Sequence, residues 1–274
     1  MEFRQSITRT SFMPILKTAT EEIEYFVDGS GPDLVLVHGT GGNADTNWGH
    51  LVPQLAERYR VIRPNYSGSG GTRDDGTTLT LEKLAKQIIS VADATESRSF
   101  DLVGFSLGSA VAAHLAAHYP QRVRRLVLLA GFASSADSRL SLQFGLWRNL
   151  IEHDRRAAAE LIMLTGFSPA WLSAQRHQDL HEIAETIVMG NRWDGMQRQV
   201  ELDLKLDARA CTGKIECPTL AIGCTHDHMV APAHSRELAR LIANAEYAEL
   251  PSGHLAPLET PDAFLNLVQG FLSR

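Results

Sequence analysis

Residues 100–119 read FDLVGFSLGSAVAAHLAAHY. Phe100 to Val103 predicts a short strand. Ser106 to Tyr119 predicts a helix, stopped by Pro120, which cannot continue one. Between them lies Gly104-Phe105-Ser106-Leu107-Gly108, a G-x-S-x-G pattern at a strand-to-helix junction. In that setting the pattern makes a sharp turn that lifts a serine hydroxyl above the sheet edge. The serine is then held in an unfavourable backbone conformation. Side chains at 104 and 108 would collide across the turn. The helix behind it carries Ser109, Ala110, Ala112, Ala113, Ala116 and Ala117, small enough to let it approach a sheet closely. A serine that merely filled a loop would need none of this.

The flanking sequence supplies the rest of a sheet. "LVLV" at 34–37 is a continuous apolar run, as in strands covered on both faces. Tyr59 to Ile62, Arg125 to Ala130, "TLAIG" at 219–223 and "AEYAEL" at 245–250 predict further strands. Helical patterns alternate with them: around Leu51 to Ala56, over Leu81 to Ala92 with Thr80 as cap, over Ser235 to Ala243, and over Pro261 to Leu272 with Thr260 as cap. This alternation predicts an α/β fold with a mostly parallel central sheet and flanking helices. Ser11 to Val27 reads as an antiparallel hairpin on the sheet edge. From Ser134 to about Gly213 strand patterns cease and only helical ones remain. The expected organisation is a core of residues 1–133 and 213–274, with residues 134–212 inserted as a helical cap.

A serine is a weak nucleophile and needs an adjacent base. For a nucleophile on this kind of turn, an acid and then a histidine are expected later in the chain, each just past a strand end. Asp227 follows "TLAIG" and His254 follows "AEYAEL" by four residues each. His254 would shuttle the proton of Ser106, and Asp227 would orient the imidazole. Asp137, just past "RLVLLA", is the alternative acid. The developing oxyanion needs donors. The backbone N–H groups of Leu107 and of Thr40, in His38-Gly39-Thr40-Gly41-Gly42, are the candidates.

With these residues in place, the chain resembles the α/β-hydrolase family, in its single-chain members with a helical cap between the sixth and seventh strands. The likeness runs through "HG-x-G" at 38–41, "VIRPNYSGSGGT" at 61–72, "GFSLG" at 104–108, "HDHMV" at 226–230 and "GHLAPLETP" at 253–261, in that order. It implies a Ser106–Asp227–His254 hydrolase that passes through an acyl-enzyme. A serine at the turn disfavours dehalogenase and epoxide hydrolase activities, whose relatives place a carboxylate there. One departure stands out: Asn65 occupies a position where the family usually has aspartate. It keeps the hydrogen-bonding shape without the charge, which bears on loop structure more than on chemistry.

Other readings are weaker. Net charge is −6, and no basic tract suggests nucleic acid or an anionic membrane. Arg122, Arg124 and Arg125 read as charges beside a helix end. Cys211, Cys217 and Cys224 are odd in number and fit no metal or disulfide pattern, so reduced thiols and a cytoplasmic location are expected. "MEFRQSITRT" at 1–10 lacks an apolar leader, and no run reaches membrane-spanning length. His226 and His228 around Asp227, and His114 with His118, lack a familiar zinc spacing. "GTGGNA" at 39–44 is a loose dinucleotide fingerprint, but the next strand region "VIRPNY" has no acid for a ribose. No metal or cofactor is expected.

The substrate is expected to be a small apolar molecule: a carboxylic ester, lactone or thioester of medium size. Phe105, Trp147, Phe167 and Trp171 are candidates for its pocket, while most aromatic residues of the insert would form the insert's own core. Alternatives are carbon–carbon hydrolysis of a β-diketone-like substrate with the same three residues, and a ligand-binding receptor without turnover.

Overall fold

The computed structural model describes residues 14–274. The leader reading at residues 1–10, and the first residues of the expected hairpin, lie outside that range. The hairpin is β1 (Ile15–Lys17) and β2 (Glu22–Asp28), paired antiparallel. The chain continues through β3 (Asp33–Val37), α1 (Ala44–Trp48), α2 (Val52–Leu55), β4 (Arg60–Pro64), α3 (Leu81–Ala94), β5 (Phe100–Phe105), α4 (Leu107–His118) and β6 (Val123–Leu129). Six helices follow: α5 (Ser138–His153), α6 (Arg155–Gly166), α7 (Pro169–Ala174), α8 (His177–Gly190), α9 (Trp193–Asp203) and α10 (Arg209–Thr212). The sheet resumes with β7 (Thr219–Cys224), then α11 (Pro232–Leu241), β8 (Ala245–Leu250), α12 (Ala256–Glu259) and α13 (Pro261–Leu272).

The eight strands lie in the order β1-β2-β4-β3-β5-β6-β7-β8, and β3 through β8 pair in parallel. The apolar runs read as strands covered on both faces are so covered. Val35 and Val37 of β3, Leu102 of β5, and Leu126 and Leu128 of β6 pack on one face with α3 and α4. Leu34, Leu36, Val103, Val127 and Leu129 pack on the other with Trp48, Phe264 and Val268. Each such side chain removed from water contributes about 1.5–3 kcal/mol. The sheet is therefore a rigid platform, and its strand ends are fixed points for a site.

Local signals differ in outcome. Thr80 caps α3, its hydroxyl oxygen accepting the N–H of Lys83 at 3.1 Å. Thr260 stands at the cap position of α13 but turns its hydroxyl back to the carbonyl of Ala256, because α12 runs directly into α13. α11 begins at Pro232, before the expected Ser235, since proline suits the first helical turn. The basic cluster is also redistributed. Arg124 and Arg125 lie on β6 and pair with the buried Asp101 of β5, at 3.1 and 3.6 Å, rather than flanking a helix end.

The helical segment leaves and re-enters the sheet at one place. Ser134 and Asp207 form an antiparallel bridge, Ser135 N–H donates to Leu206, and Ala208 N–H donates to Ala133. Among the described residues no helix is long and apolar enough to cross a membrane.

Candidate active site

Ser106 sits between β5 and α4 with φ 55° and ψ −120°. A non-glycine residue there carries about 1–3 kcal/mol of strain, held by its surroundings. Ser106 N–H donates to Leu129 of β6, and the Ser109 hydroxyl bonds the carbonyls of Gly104 and Leu129 at 2.8 and 2.9 Å. A methyl group on Gly108 would lie 2.4 Å from the carbonyl oxygens of Val37 and His38; one on Gly104 would lie 2.3 Å from that of Gly108. The flanking glycines are thus required by the closeness of α4 to β3 and β5.

The acid that meets His254 is Asp227. Its Oδ2 accepts from His254 Nδ1 at 2.7 Å, and its Oδ1 accepts the N–H groups of Met229 and Val230 at 2.8 and 2.7 Å. Both side chains are buried. A proton on Nδ1 facing the carboxylate leaves Nε2 as a lone pair. Asp137 is elsewhere: it is exposed and caps α5 by accepting the N–H of Leu140. The imidazole centroid is 5.0 Å from that of Phe105, the neighbour of Ser106. Among the described residues the Ser106 hydroxyl has no hydrogen bond to His254.

The loop after β3 passes against the serine; a methyl on Gly39 would come 3.0 Å from Ser106 Cβ. Its N–H groups are nearly all used. Gly39 donates to Asn47 Oδ1 at 2.9 Å, Gly41 to Gln199 Oε1 at 2.8 Å, and Gly42 to the Gly39 carbonyl at 3.2 Å. Among the described residues, the N–H groups of Thr40 and Leu107 have no protein acceptor. The Leu107 N–H is free because it opens a helix.

His38 and Tyr66 support this loop from within. Their rings stack at 3.9 Å, and the Tyr66 hydroxyl donates to the His38 carbonyl at 2.9 Å. Burial lowers the His38 imidazole to about 4, keeping it neutral.

The helical segment is fastened to all three loops. Gln199 and Asp203 of α9 bond Gly41 and Thr40. Arg139 of α5 donates to the carbonyls of His228 and Met229, beside Asp227. The Gly166 carbonyl accepts from Leu255 N–H at 2.9 Å, and Glu259 Oε2 accepts the N–H groups of both Ser168 and Gly253, at 2.9 and 3.0 Å. His254 is therefore bracketed by bonds to the α6–α7 turn.

Of the aromatic candidates, Phe105 lies in the core between Trp48 and His254. Trp147 is buried edge-on to Phe144, with its indole N–H unpartnered among the described residues. Phe167 and Trp171 stack at 3.9 Å in a small cluster that also touches Leu255. Sequence reading missed Gln199, Asp203 and Glu259. The signal was present for two of them: Met196, Gln199, Val200 and Asp203 follow the i, i+3, i+4, i+7 spacing of a buried helix face, so two polar residues were headed inward.

Comparison with known proteins agrees with this architecture. A pyrrolizixenacetamide deacetylase from Xenorhabdus hominickii is 50% identical over 257 residues, covering 94% of this chain and 97% of that one. A 2-hydroxymuconate semialdehyde hydrolase from Pseudomonas sp. strain CF600 is 28% identical over 89% of this chain and 88% of its own. The crystal structure of an enol-lactonase from Burkholderia xenovorans LB400 superposes with a TM-score of 0.84 at 26% identity, covering 95% of this chain and all of that one. The profile of the alpha/beta hydrolase fold matches residues 32–261, so the chain belongs to that family and is a hydrolase.

Proposed function

We propose that the chain is a serine hydrolase that transfers an acyl group from its substrate to water through Ser106. The observation that carries the reading is the strained Ser106 at the strand end, in the same site as a buried His254 whose Nδ1 is already engaged by Asp227. In this reading His254 Nε2 takes the hydroxyl proton as Ser106 Oγ attacks the carbonyl carbon. The oxyanion forms against the unpaired N–H groups of Thr40 and Leu107. His254 then protonates the leaving group, and the acyl-enzyme forms. A water molecule, deprotonated by His254, releases the acid. Helices α5–α10 act as a cap over the site.

The acyl bond is an ester, lactone, thioester or amide. The likeness to a pyrrolizixenacetamide deacetylase favours an acetyl group held as an amide. Amide cleavage asks most of His254, because the amine must be protonated before it leaves. The likeness to a 2-hydroxymuconate semialdehyde hydrolase supports carbon–carbon hydrolysis as a second reading.

Acetate release from a panel of N-acetylated apolar amines and p-nitrophenyl acetate tests the reading. Wild type is expected to turn over at least one class and to be labelled by a fluorophosphonate. Ser106→Ala is expected to lose both, with turnover down by about 10⁴–10⁶. Labelling at another residue, or binding without turnover, would refute it.

A further inference from the structure

Thr40 stands between two glycines, Gly39 and Gly41, which impose little conformational restraint of their own. The restraint comes from α9. Gln199 takes the N–H of Gly41 and is itself satisfied, its amide donating to Ser67 O and Ser69 Oγ at 3.2 and 2.9 Å. Asp203 takes the Thr40 hydroxyl on Oδ2 at 2.6 Å. It is fully buried, its Oδ1 has no partner, and no cation pairs with it among the described residues. A buried carboxyl in that state costs stability, and such groups concentrate at functional sites.

We propose that Asp203 is a positioning residue of the active site, holding Thr40 by its hydroxyl so that the Thr40 N–H stays directed at the oxyanion. The proposal rests on the reading of Ser106 and Thr40 above. Threonine has few χ1 rotamers, so a fixed hydroxyl also fixes the backbone that carries the N–H. Pre-set donors carry most of the oxyanion stabilisation, and a displacement of about 1 Å costs about 100-fold in rate.

The charge state of Asp203 matters as well. Burial raises its carboxyl to about 7, so it is neutral in mild acid. Once ionised, it would set a negative charge beside the loop that receives the oxyanion and oppose the transition state. The titratable groups around it do not offset that charge. Tyr66, pushed well above its usual range by burial and by Asp203, is a neutral phenol, and His38 is neutral. On α5, Arg148 pairs with Glu201 instead.

The test is kcat and KM for p-nitrophenyl acetate over about pH 5–9 for wild type, D203N, D203L, T40V and T40V/D203L, with Ser106→Ala alongside. D203L and T40V are each expected to lower kcat about 100-fold with KM within about two-fold. The double variant is expected to be no slower than the slower single one. D203N, which keeps an oxygen acceptor without charge, is expected to regain about ten-fold over D203L and to lose the fall in kcat above about pH 7. Losses that multiply in the double variant, an effect on KM alone, or no advantage of D203N over D203L would overturn the positioning role. Turnover in Ser106→Ala would instead overturn the reading of the site. Should D203L not fold, T40V and D203N carry the same comparison from the two ends of the bond.

Discussion

The side-chain amide of Asn65 donates to Glu24 Oε2 at 2.6 Å, and both residues are buried. The Asn65 oxygen accepts the N–H of Ala44, and Glu24 also takes the N–H of Gly71. Asparagine is needed because one side of the group must donate and the other accept. Asn65→Asp would set two carboxylates against each other, forcing one to bind a proton. We expect it to lower unfolding free energy by about 2–4 kcal/mol at pH 8 and clearly less near pH 5. Urea denaturation at the two pH values checks this; equal losses at both would exclude like-charge repulsion.

Asp203 and His38 act on stability in opposite directions. Burial raises Asp203 from 3.8 to about 7, so its folded-state proton contributes stability that is lost as pH rises through about 7. Burial lowers His38 from 6.5 to about 4, so its contribution is lost as pH falls from 6.5 towards 4. Asp203→Asn removes only the first effect. It is expected to raise stability at pH 8 by up to about 4 kcal/mol and to change it little at pH 4. A Tm difference independent of pH would show that the carboxyl is not held near 7.

Glu259 joins the α6–α7 turn to the loop of His254 through two N–H groups on one oxygen. Glu259→Ala leaves both donors unpaired and is expected to cost about 2–4 kcal/mol. Amide exchange at Ser168 and Gly253 should accelerate together, and kcat should fall with the loosened imidazole. Glu259→Gln retains an acceptor oxygen and is expected to lose less than half as much. Faster exchange at only one of the two amides would break the link between them.

Glycines divide by what surrounds them. Gly145 on α5 and Gly270 on α13 have open space where a methyl would go, and both lie inside helices. Replacing either by alanine is expected to stabilise the fold by about 0.5–1 kcal/mol, read as a small rise in Tm. Gly108→Ala drives a methyl into two backbone carbonyls and is expected to cost more than about 3 kcal/mol, with loss of soluble protein.

Much of this fold was legible because its strands are buried on both faces. "LVLV" and "RLVLLA" announce themselves as continuous apolar runs, and the small residues behind Ser106 announce a close helix. The order of Ser106, Asp227 and His254 followed from where parallel strands end. Asp227 was legible as the acid facing His254, with Asp137 left as the alternative because both follow strands; the structure brings Asp227 to His254 and gives Asp137 a helix to cap. Glu259, Gln199 and Asp203 were obscure for another reason. Their roles depend on which backbone groups a distant loop leaves unpaired, and no local pattern records that.

The antiparallel bridge between Ser134 and Asp207 has an architectural consequence. An excursion of some seventy residues departs and returns through a single hydrogen-bonded doorway, so its two ends are neighbours whatever lies between them. Lengthening, shortening or exchanging the helices leaves the spacing of β6 and β7 untouched. If these helices cap the proposed site, the part that meets the substrate can be exchanged without moving Ser106, Asp227 or His254. The limit on such exchange is set by the bonds from Asp203, Arg139 and Gly166, which any substitute would have to reproduce.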